Sequence, residues 1–590
     1  MTNFCLTTKQ EQAVASRARA LTVVSGPGTG KTEVVARRIE RILYQSPLEE
    51  FRVLALSYTV QVADGLEDRL AGRLGDLHRL VDAHTFYDFA LRVVQHHGTL
   101  VGLPLVPKIL SRDEDRCELL AAWLDRGGYR HPADPVETFR RLDLDRAHGK
   151  ETRHIEIWRR VLAEAGALDY QAMLERATEV LSLRGASRIY RGIYRHVVVD
   201  EAQNLTRSQY RLLTSLIGPP VGTHLPATLV GDERQSIVDF AGADDTLISA
   251  FEHRYSAERI ELDTNFRSTQ RINQITRRVA SGLSIPSDTS RAHYEACGEL
   301  QIAEFDSEAD EGIGVASWIE RQLDCGLPKE AVLPDEPTSV APEQIAVLGR
   351  SATALIPTRD ALDKLGIVHV SASTADAWVT SLPAQTVLGF IRFKNAPDHL
   401  STRRHLARLC GKNPYEEWDD VSELFRQSPD PCLAELARIG TVSTPQELVS
   451  ELHQLDIRDP DWLDDIQQIS DSLTSFVDQV PVGLRSFPQF KNHIDRCQRG
   501  NPLDPGVRLL TVHKSQGHEF KSVAVVACNE GQFPDFRANT PEDREAERRT
   551  FYVAVSKPSR SLLVTRARKR RTRNGTCHTN PSPFLDWVRA

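Results

Sequence analysis

Short apolar, β-branched runs alternate along the chain with stretches of helical period. ALTVV, residues 20–24, is one such run, and its continuous apolar character predicts a buried strand. SGPGTGKT follows at 25–32, then EVVARRIERIL at 33–43, which has helical spacing and no Gly or Pro. A second run, Val197–Val199, ends in Asp200-Glu201. IAVLGRS (345–351) and VAVVACNEG (523–531) are further strand-like runs, so two strand-led α/β units are expected. LLAAWLDRGG, ETFRRLDLDRA and YQAMLERATEVLSL read as helices within 93–192, and a second helical region over 376–504 is broken by SPDP and RDPDW.

Composition narrows the class. A chain of 590 residues is too long for one core. Apolar content of 40% and charged content of 26% describe a globular protein, and no apolar run reaches a membrane span. The start, MTNFCLTTKQEQ, is not a signal peptide. Nine cysteines without a C-x-x-C pair argue against a zinc site or disulfide frame and for a reducing cytoplasm. A net charge of −8 leaves nucleic-acid binding to local positive charge. The strongest basic cluster is RARKRRTR, 566–573. A solvated tail, an exposed hairpin, a phosphate clamp and a partner patch are all open readings of it. Two segments of the second helical region, YEEWDDVSE and LDIRDPDWLDD, are acidic and would repel phosphate; they suit a protein-contact or regulatory surface, or a solvated face.

The loop at 25–32 carries specific chemistry. It matches G-x-x-x-x-G-K-T with Ser25 in the first glycine position and Gly26 one place later. Small residues let backbone N–H groups of Gly26, Gly28, Thr29 and Gly30 turn towards phosphates, with Pro27, which has no N–H, shaping the same loop. Lys31 would reach the β- and γ-phosphates of ATP, and the Thr32 hydroxyl would bind Mg²⁺. The helix N-terminus adds partial positive charge. An acidic strand end is where α/β sheets hold ligands, so Asp200 would hold Mg²⁺ and Glu201 would polarise the attacking water.

With DEAQ in place, the chain resembles a superfamily 1 helicase of the UvrD/Rep/PcrA type. LTTKQEQAV is similar to the Q motif, LALSYTVQVADGL to motif Ia, AHTFYDFALR to motif Ib and LVGDERQSIVDFAGA to motif III. LDTNFRST is similar to motif IV, RLLTVHKSQGHEFKSVAVV to motif V and ERRTFYVAVSKPSRSLLVT to motif VI. The resemblance implies that Gln10 reads the adenine edge, Gln235 senses the γ-phosphate, Phe266 stacks on adenine, Arg267 contacts the γ-phosphate and Glu519 binds the ribose. Tyr58 and Phe240 would stack on single-stranded DNA, and Thr85 and His513 would touch its backbone, while Phe86 is left to the core. Several positions depart from the family pattern. Val238 and Ala241 replace Tyr and Arg in motif III; Thr59, Val60 and Gln61 replace the Asn-Lys pair of motif Ia; Gln516 stands where Lys is common; and Lys557 occupies the arginine-finger position, with Arg560 as the other candidate if the segment is helical.

The resulting expectation is an α/β fold of two RecA-like P-loop NTPase lobes with two mostly helical insertions. Lobe 1A covers 1–92 and 193–263 around insertion 1B at 93–192; lobe 2A covers 264–375 and 505–590 around insertion 2B at 376–504. PSPFLDWVRA would end the core with no appended nuclease. The implied activity is ATP-dependent 3′→5′ translocation on single-stranded or tailed DNA in repair, recombination or defence, with no membrane role. One rival is a DNA-sensing subunit of a Gabija-type antiphage assembly that regulates a partner nuclease; another is an RNA-directed motor.

Overall fold

The computed structural model describes residues 6–45, 51–110, 113–129, 131–132, 134–220, 224–238, 242–285, 288–371, 506–572 and 575–589. Of 372–505 it describes 386–387, 389–391, 406, 421–428, 430–440, 442, 444–457, 459–480, 485, 487 and 489–490. The fold is mixed α/β, built on parallel sheets as in RecA-like lobes. The chain divides into two compact units, one formed by residues 1–367 with 510–590 and the other by 368–509.

Among the described residues the first unit holds two large sheets and two short two-stranded ladders. One large sheet has strands β1 (Ala20–Ser25), β2 (Arg52–Ser57), β3 (Val81–Thr85), β4 (Tyr194–Val199), β5 (Ala227–Gly231) and β6 (Glu258–Leu262). Their order is β3-β2-β4-β5-β1-β6, parallel throughout, with Val23 opposite Val230 and Leu56 opposite Val199. β1 and β5 are buried along their whole length, as a parallel sheet covered on both faces requires. This explains why their sequences read as unbroken apolar runs.

The helices Pro135–Ala147, Arg153–Ala165 and Tyr170–Ser182 pack Phe139, Trp158 and Leu174 into one apolar cluster with Leu56, Val199 and Leu229 of this sheet. Inside them Arg146 is fully buried between Asp169 at 2.8 Å and Glu175 at 3.0 Å, and Trp158 donates to Asp169 at 2.7 Å.

The second sheet contains β7 (Glu299–Ser307), β8 (Ile345–Gly349), β9 (Phe520–Val525) and β10 (Pro558–Thr572). β10 lies parallel between β7 and β9, and β9 is parallel to β8. β11 (Gly575–His578) folds back antiparallel on β10.

The other unit has a short parallel ladder, His369 to Val507 and Ser371 to Leu509, and helices Val421–Arg426, Pro431–Leu436, Pro445–Leu452 and Pro460–Gln479. Phe390 stacks on Phe425 at 4.9 Å within a core that includes Leu436, Leu448 and Phe476. The acidic run Tyr415–Asp420 lies outside the described residues. Among the described residues, no helix is long and apolar enough to cross a membrane.

Candidate active site

β1 ends at Ser25 and a helix begins at Lys31. Between them Gly28 and Gly30 have φ of 72° and 79°, a left-handed conformation that glycine adopts without steric cost. A Cβ on Gly28 would lie 2.6 Å from Cβ of Arg267, and one on Gly30 2.8 Å from Nε2 of Gln10. The turn is tied by Thr29, whose hydroxyl donates to the Gly26 carbonyl at 2.9 Å and meets the Ser25 hydroxyl at 2.6 Å. Lys31 Nζ donates to the carbonyls of Gly26 at 3.0 Å and Ser25 at 3.3 Å. Gln10 is buried and braces the loop. Its Nε2 donates to the Thr29 carbonyl at 3.0 Å, and its Oε1 accepts from Thr7 N at 2.9 Å in a helix capping box. The adenine contact expected of Gln10 would have to share an amide already bonded at both ends.

β4 delivers the acidic pair. Asp200 is buried; its Oδ1 accepts from Glu201 N at 2.9 Å, and its Oδ2 has no hydrogen-bond partner. Burial, reinforced by Glu201, raises the Asp200 carboxyl to about 7. An orphaned buried carboxylate oxygen near the hydroxyl-bearing P-loop end suits a hard divalent cation, so the residues present fit Mg²⁺. Glu201 has φ 53° and ψ 42°, a left-handed conformation costly for a residue with a Cβ. Its carboxylate accepts from Gln203 Nε2. Gln203 Oε1 accepts from Asp232 N at 3.0 Å, and Gln235 Nε2 donates to Asp232 Oδ2 at 2.9 Å. The ends of β4 and β5 are thereby joined into one polar network.

Part of this set lines a recess of about 590 Å³. Gly28, Lys31, Thr32 and Glu201 line one wall. Gln235, Phe266, Arg267, Glu519 and Lys557 also line the recess. Phe266 N donates to the Gly28 carbonyl at 2.8 Å, and Asn265 Nδ2 to the Pro27 carbonyl at 2.9 Å, so the TNFRS segment is docked directly on the phosphate loop. The Phe266 ring lies 4.8 Å from that of His293. Arg267 pairs with Glu519. Burial works against the charge of Glu519, yet Arg267, with Lys557 and Lys31 behind it, holds its carboxyl below the usual range. Lys557 is buried, and that burial, together with the positive charge of Arg267, lowers its ammonium to about 8.

A glycine-rich loop, an acidic strand end and the cations Arg267 and Lys557 meet in one recess. The UvrD/REP helicase N-terminal domain model matches residues 6–256, and the UvrD-like helicase C-terminal domain model matches residues 446–569. The chain belongs to the UvrD/REP helicase family. It is 26% identical over 661 residues to the ATP-dependent DNA helicase UvrD1 of Mycobacterium tuberculosis, covering 95% of this chain and 82% of that protein. It is 22% identical over 654 residues to the ATP-dependent DNA helicase PcrA of Staphylococcus aureus, covering 98% of this chain and 86% of that protein.

Several expectations for this helicase meet a different local structure. Lys557 caps the helix Pro541–Ser556, and Pro558 opens strand β10 rather than a helix. The helical relation between Lys557 and Arg560 therefore does not exist. Arg560 is buried against Glu336 at 2.6 Å and the Arg267 carbonyl at 2.6 Å, and Lys557 is the one that lines the recess.

Residues 566–572 of the RARKRRTR cluster lie on β10, which pairs antiparallel with β11, and Arg573 lies outside the described residues. Arg566 and Arg568 both pair with Glu304, and Arg568 also meets Asp306 at 3.1 Å. Arg570 is buried against Glu311 and donates to Asn529 at 2.8 Å. Of the open readings, the hairpin is what forms, and carboxylates of β7 and the helix after it cover three of its arginines.

Among the residues expected at the nucleic acid, Tyr58 is half-buried just past β2, and burial raises its phenol. Thr85 is buried and caps the helix Phe86–His97: its hydroxyl donates to Asp88 Oδ2 at 2.7 Å and accepts from Asp88 N at 3.1 Å. His513 opens a 3₁₀ turn, where burial and then Arg350 lower its imidazole to about 4. Phe86 is core. Phe240 lies outside the described residues.

Arg69 lines the recess although no motif pointed to it. The signal was there: Val62, Leu66 and Arg69 also line the recess and share a face of the helix Val60–Leu74, by the i, i+4, i+7 rule.

Proposed function

We propose that this helicase converts ATP hydrolysis into 3′→5′ movement along single-stranded DNA. The observation that carries the reading is the recess at which Lys31, Thr32 and Glu201, beyond strand ends of the first sheet, share a lining with Glu519 and Lys557, which precede β9 and β10 of the second, and with Arg267 of the segment docked on the P-loop. ATP there would touch both sheets at once, and its hydrolysis would remove the γ-phosphate that holds their cations together, a closure driven by differential binding. Lys31 would bind the β- and γ-phosphates, and Phe266 would stack on the base. Glu201, turned into the recess by its left-handed backbone and held by Gln203, would orient and deprotonate the attacking water. Gln235, bonded to Asp232, would report the γ-phosphate to the rest of the sheet. Asp200 and Thr32 would hold Mg²⁺, which when bound neutralises charge on the phosphates. Arg267 and Lys557 would neutralise the charge that develops on the transferred group. Tyr58, His513 and Phe240 would contact the strand, with Thr85 setting the helix beside it. The lobe and insertion boundaries at 92, 192, 263, 375 and 504 belong to the same proposal.

A second reading keeps the site and changes the output: a DNA-sensing ATPase that licenses a partner nuclease. The lysine at position 557, a weaker finger than arginine, favours slow turnover suited to sensing. Strand displacement on 3′- and 5′-tailed duplexes, run beside ATPase assays with DNA and RNA, separates these. The motor reading expects displacement of the 3′-tailed duplex and DNA-stimulated ATPase. ATPase without displacement selects the sensor, and stimulation by RNA alone overturns both. Glu201→Gln should retain ATP binding and lose turnover by about 10²–10⁴.

A further inference from the structure

A second recess, of about 310 Å³, opens at the opposite end of the first sheet. Arg19 precedes β1, Phe51 precedes β2, Arg195 and His196 lie in the first residues of β4, and Leu225-Pro226 lead into β5. In a parallel sheet all strand starts lie at one end. The P-loop, Asp200-Glu201 and Asp232 occupy the other, so the two recesses share the sheet and no lining residue.

The charge of this recess is one-sided. Arg19, Arg191, Arg195, His196 and His224 line it, and among the described residues no Asp or Glu does. Arg19 donates to the His224 carbonyl, and Arg191 to the carbonyls of Leu216 at 2.8 Å and Ser215 at 3.0 Å. Carbonyls orient a guanidinium without cancelling its charge. The Arg195 guanidinium lies 5.9 Å from the Phe51 ring centroid. His224 is only 8% exposed, yet neither ring nitrogen has a hydrogen-bond partner, an arrangement that costs about 1–3 kcal/mol per buried polar group. Burial and the adjoining arginines also work against positive charge on both imidazoles, with His196 lowered to about 4 and His224 lowered by burial and Arg19.

We propose that this recess is a binding site for a phosphorylated small molecule, its phosphoryl oxygens held by Arg19 and Arg191 with a hydrogen bond from the His224 ring. Guanidinium forks match phosphate oxygens bidentately, and an anion supplies both the charge the arginines face and the acceptor the imidazole needs. The volume sits at the small end of ligand pockets. Ile42, Phe51 and Leu225 on its wall give apolar surface for a small organic body.

The test uses the full chain with its P-loop saturated by a non-hydrolysable ATP analogue and Mg²⁺, titrated calorimetrically with pyrophosphate. One-to-one binding is expected. It should persist in Lys31→Ala and weaken at least tenfold in Arg19→Ala, an exposed position whose basal ATPase and melting temperature should match the parent. His224→Gln should weaken it less, since an amide still donates. Competition by a nucleoside monophosphate, but not by a 5′-phosphorylated oligonucleotide, assigns the phosphoryl group to a small molecule; competition by the oligonucleotide alone overturns that assignment. Absence of pyrophosphate binding, or equal binding in Arg19→Ala, overturns the site.

Discussion

Two groups of cations in this helicase stand in opposite surroundings. Lys31, Arg267 and Lys557 converge on one recess with Glu519 and Glu201 as the nearby carboxylates that act on Lys557, whose ammonium is lowered to about 8. Arg566, Arg568 and Arg570 on β10 are met by Glu304, Asp306 and Glu311. In the first group only Arg267 has a direct carboxylate partner among the described residues, so Lys31 and Lys557 keep charge to offer a polyanion. The second is neutralised by its neighbours, so its charge stabilises the sheet. In sequence the second group is far the more conspicuous. Density of charge along a chain is therefore a poor guide to a phosphate site; the balance of charge after folding decides.

The sharpest way to break this contrast is Lys31→Ala. Removing one donor aimed at a developing anion costs about 10²–10³ in rate, and Lys31 touches two phosphates in the proposed complex. Steady-state ATPase should fall by at least that range, and near-parental turnover would remove the recess from the chemistry.

Lys557 comes next. Lys557→Ala should lower kcat by about 10², whereas Arg560→Ala, whose partner is Glu336, should act on stability instead. The ionisation of Lys557 sharpens the prediction. The free enzyme holds the ammonium only below about 8, so kcat/KM should decline as pH rises through that value. Lys557→Arg should abolish this decline, because a guanidinium stays charged. The stability sign is opposite. Between about 8 and the ordinary lysine value the unfolded chain binds the extra proton, so this group makes folding more favourable as pH rises there.

On the other side of the comparison, Arg570→Ala would leave Glu311 buried without its charge partner. Breaking such a pair costs about 3–5 kcal/mol, which a shift in the denaturation midpoint would read, with ATPase per folded molecule unchanged. Arg568, exposed on the same strand and paired with Glu304 in solvent, should leave the denaturation midpoint nearly unchanged when truncated.

The smallest effect tests whether neutralisation alone keeps the hairpin from nucleic acid. Glu304→Gln releases Arg566 and Arg568 from their shared carboxylate. If the two arginines then reach phosphates, the salt dependence of single-strand binding should steepen by about 1.4, at roughly 0.7 per cation. An unchanged slope would mean that the hairpin stands away from the strand for geometric reasons.

Much of the architecture was legible without coordinates. ALTVV, SGPGTGKT and EVVARRIERIL form strand, loop and helix because each property involved is local: β-branching, glycine's left-handed freedom and helical period act within a few residues. The same holds for the acidic end of β4, and for the placement of Lys31, Thr32 and Glu201 at one recess, since parallel strands deliver their C-terminal loops to one edge of a sheet. The register of Lys557 was legible too, through the motif that contains it.

What lay beyond reach was every property that depends on a partner distant in sequence. Nothing local could say that Arg566 would meet Glu304 across the β7–β10 pairing, that Arg560 would turn to Glu336, or that Pro558 would open a strand instead of a helix. Gln10 and Thr85 appeared as ligand contacts, and folding engaged them first in capping boxes and loop bracing. Arg69 entered the recess only once its helix was laid against the P-loop. The sequence by itself determined which backbone groups and side chains were available for phosphate chemistry. Only the tertiary structure decided which charges remained uncompensated, because electrostatic energy depends on distance and burial, and both are set by contacts between residues far apart in sequence, such as Glu304 and Arg566.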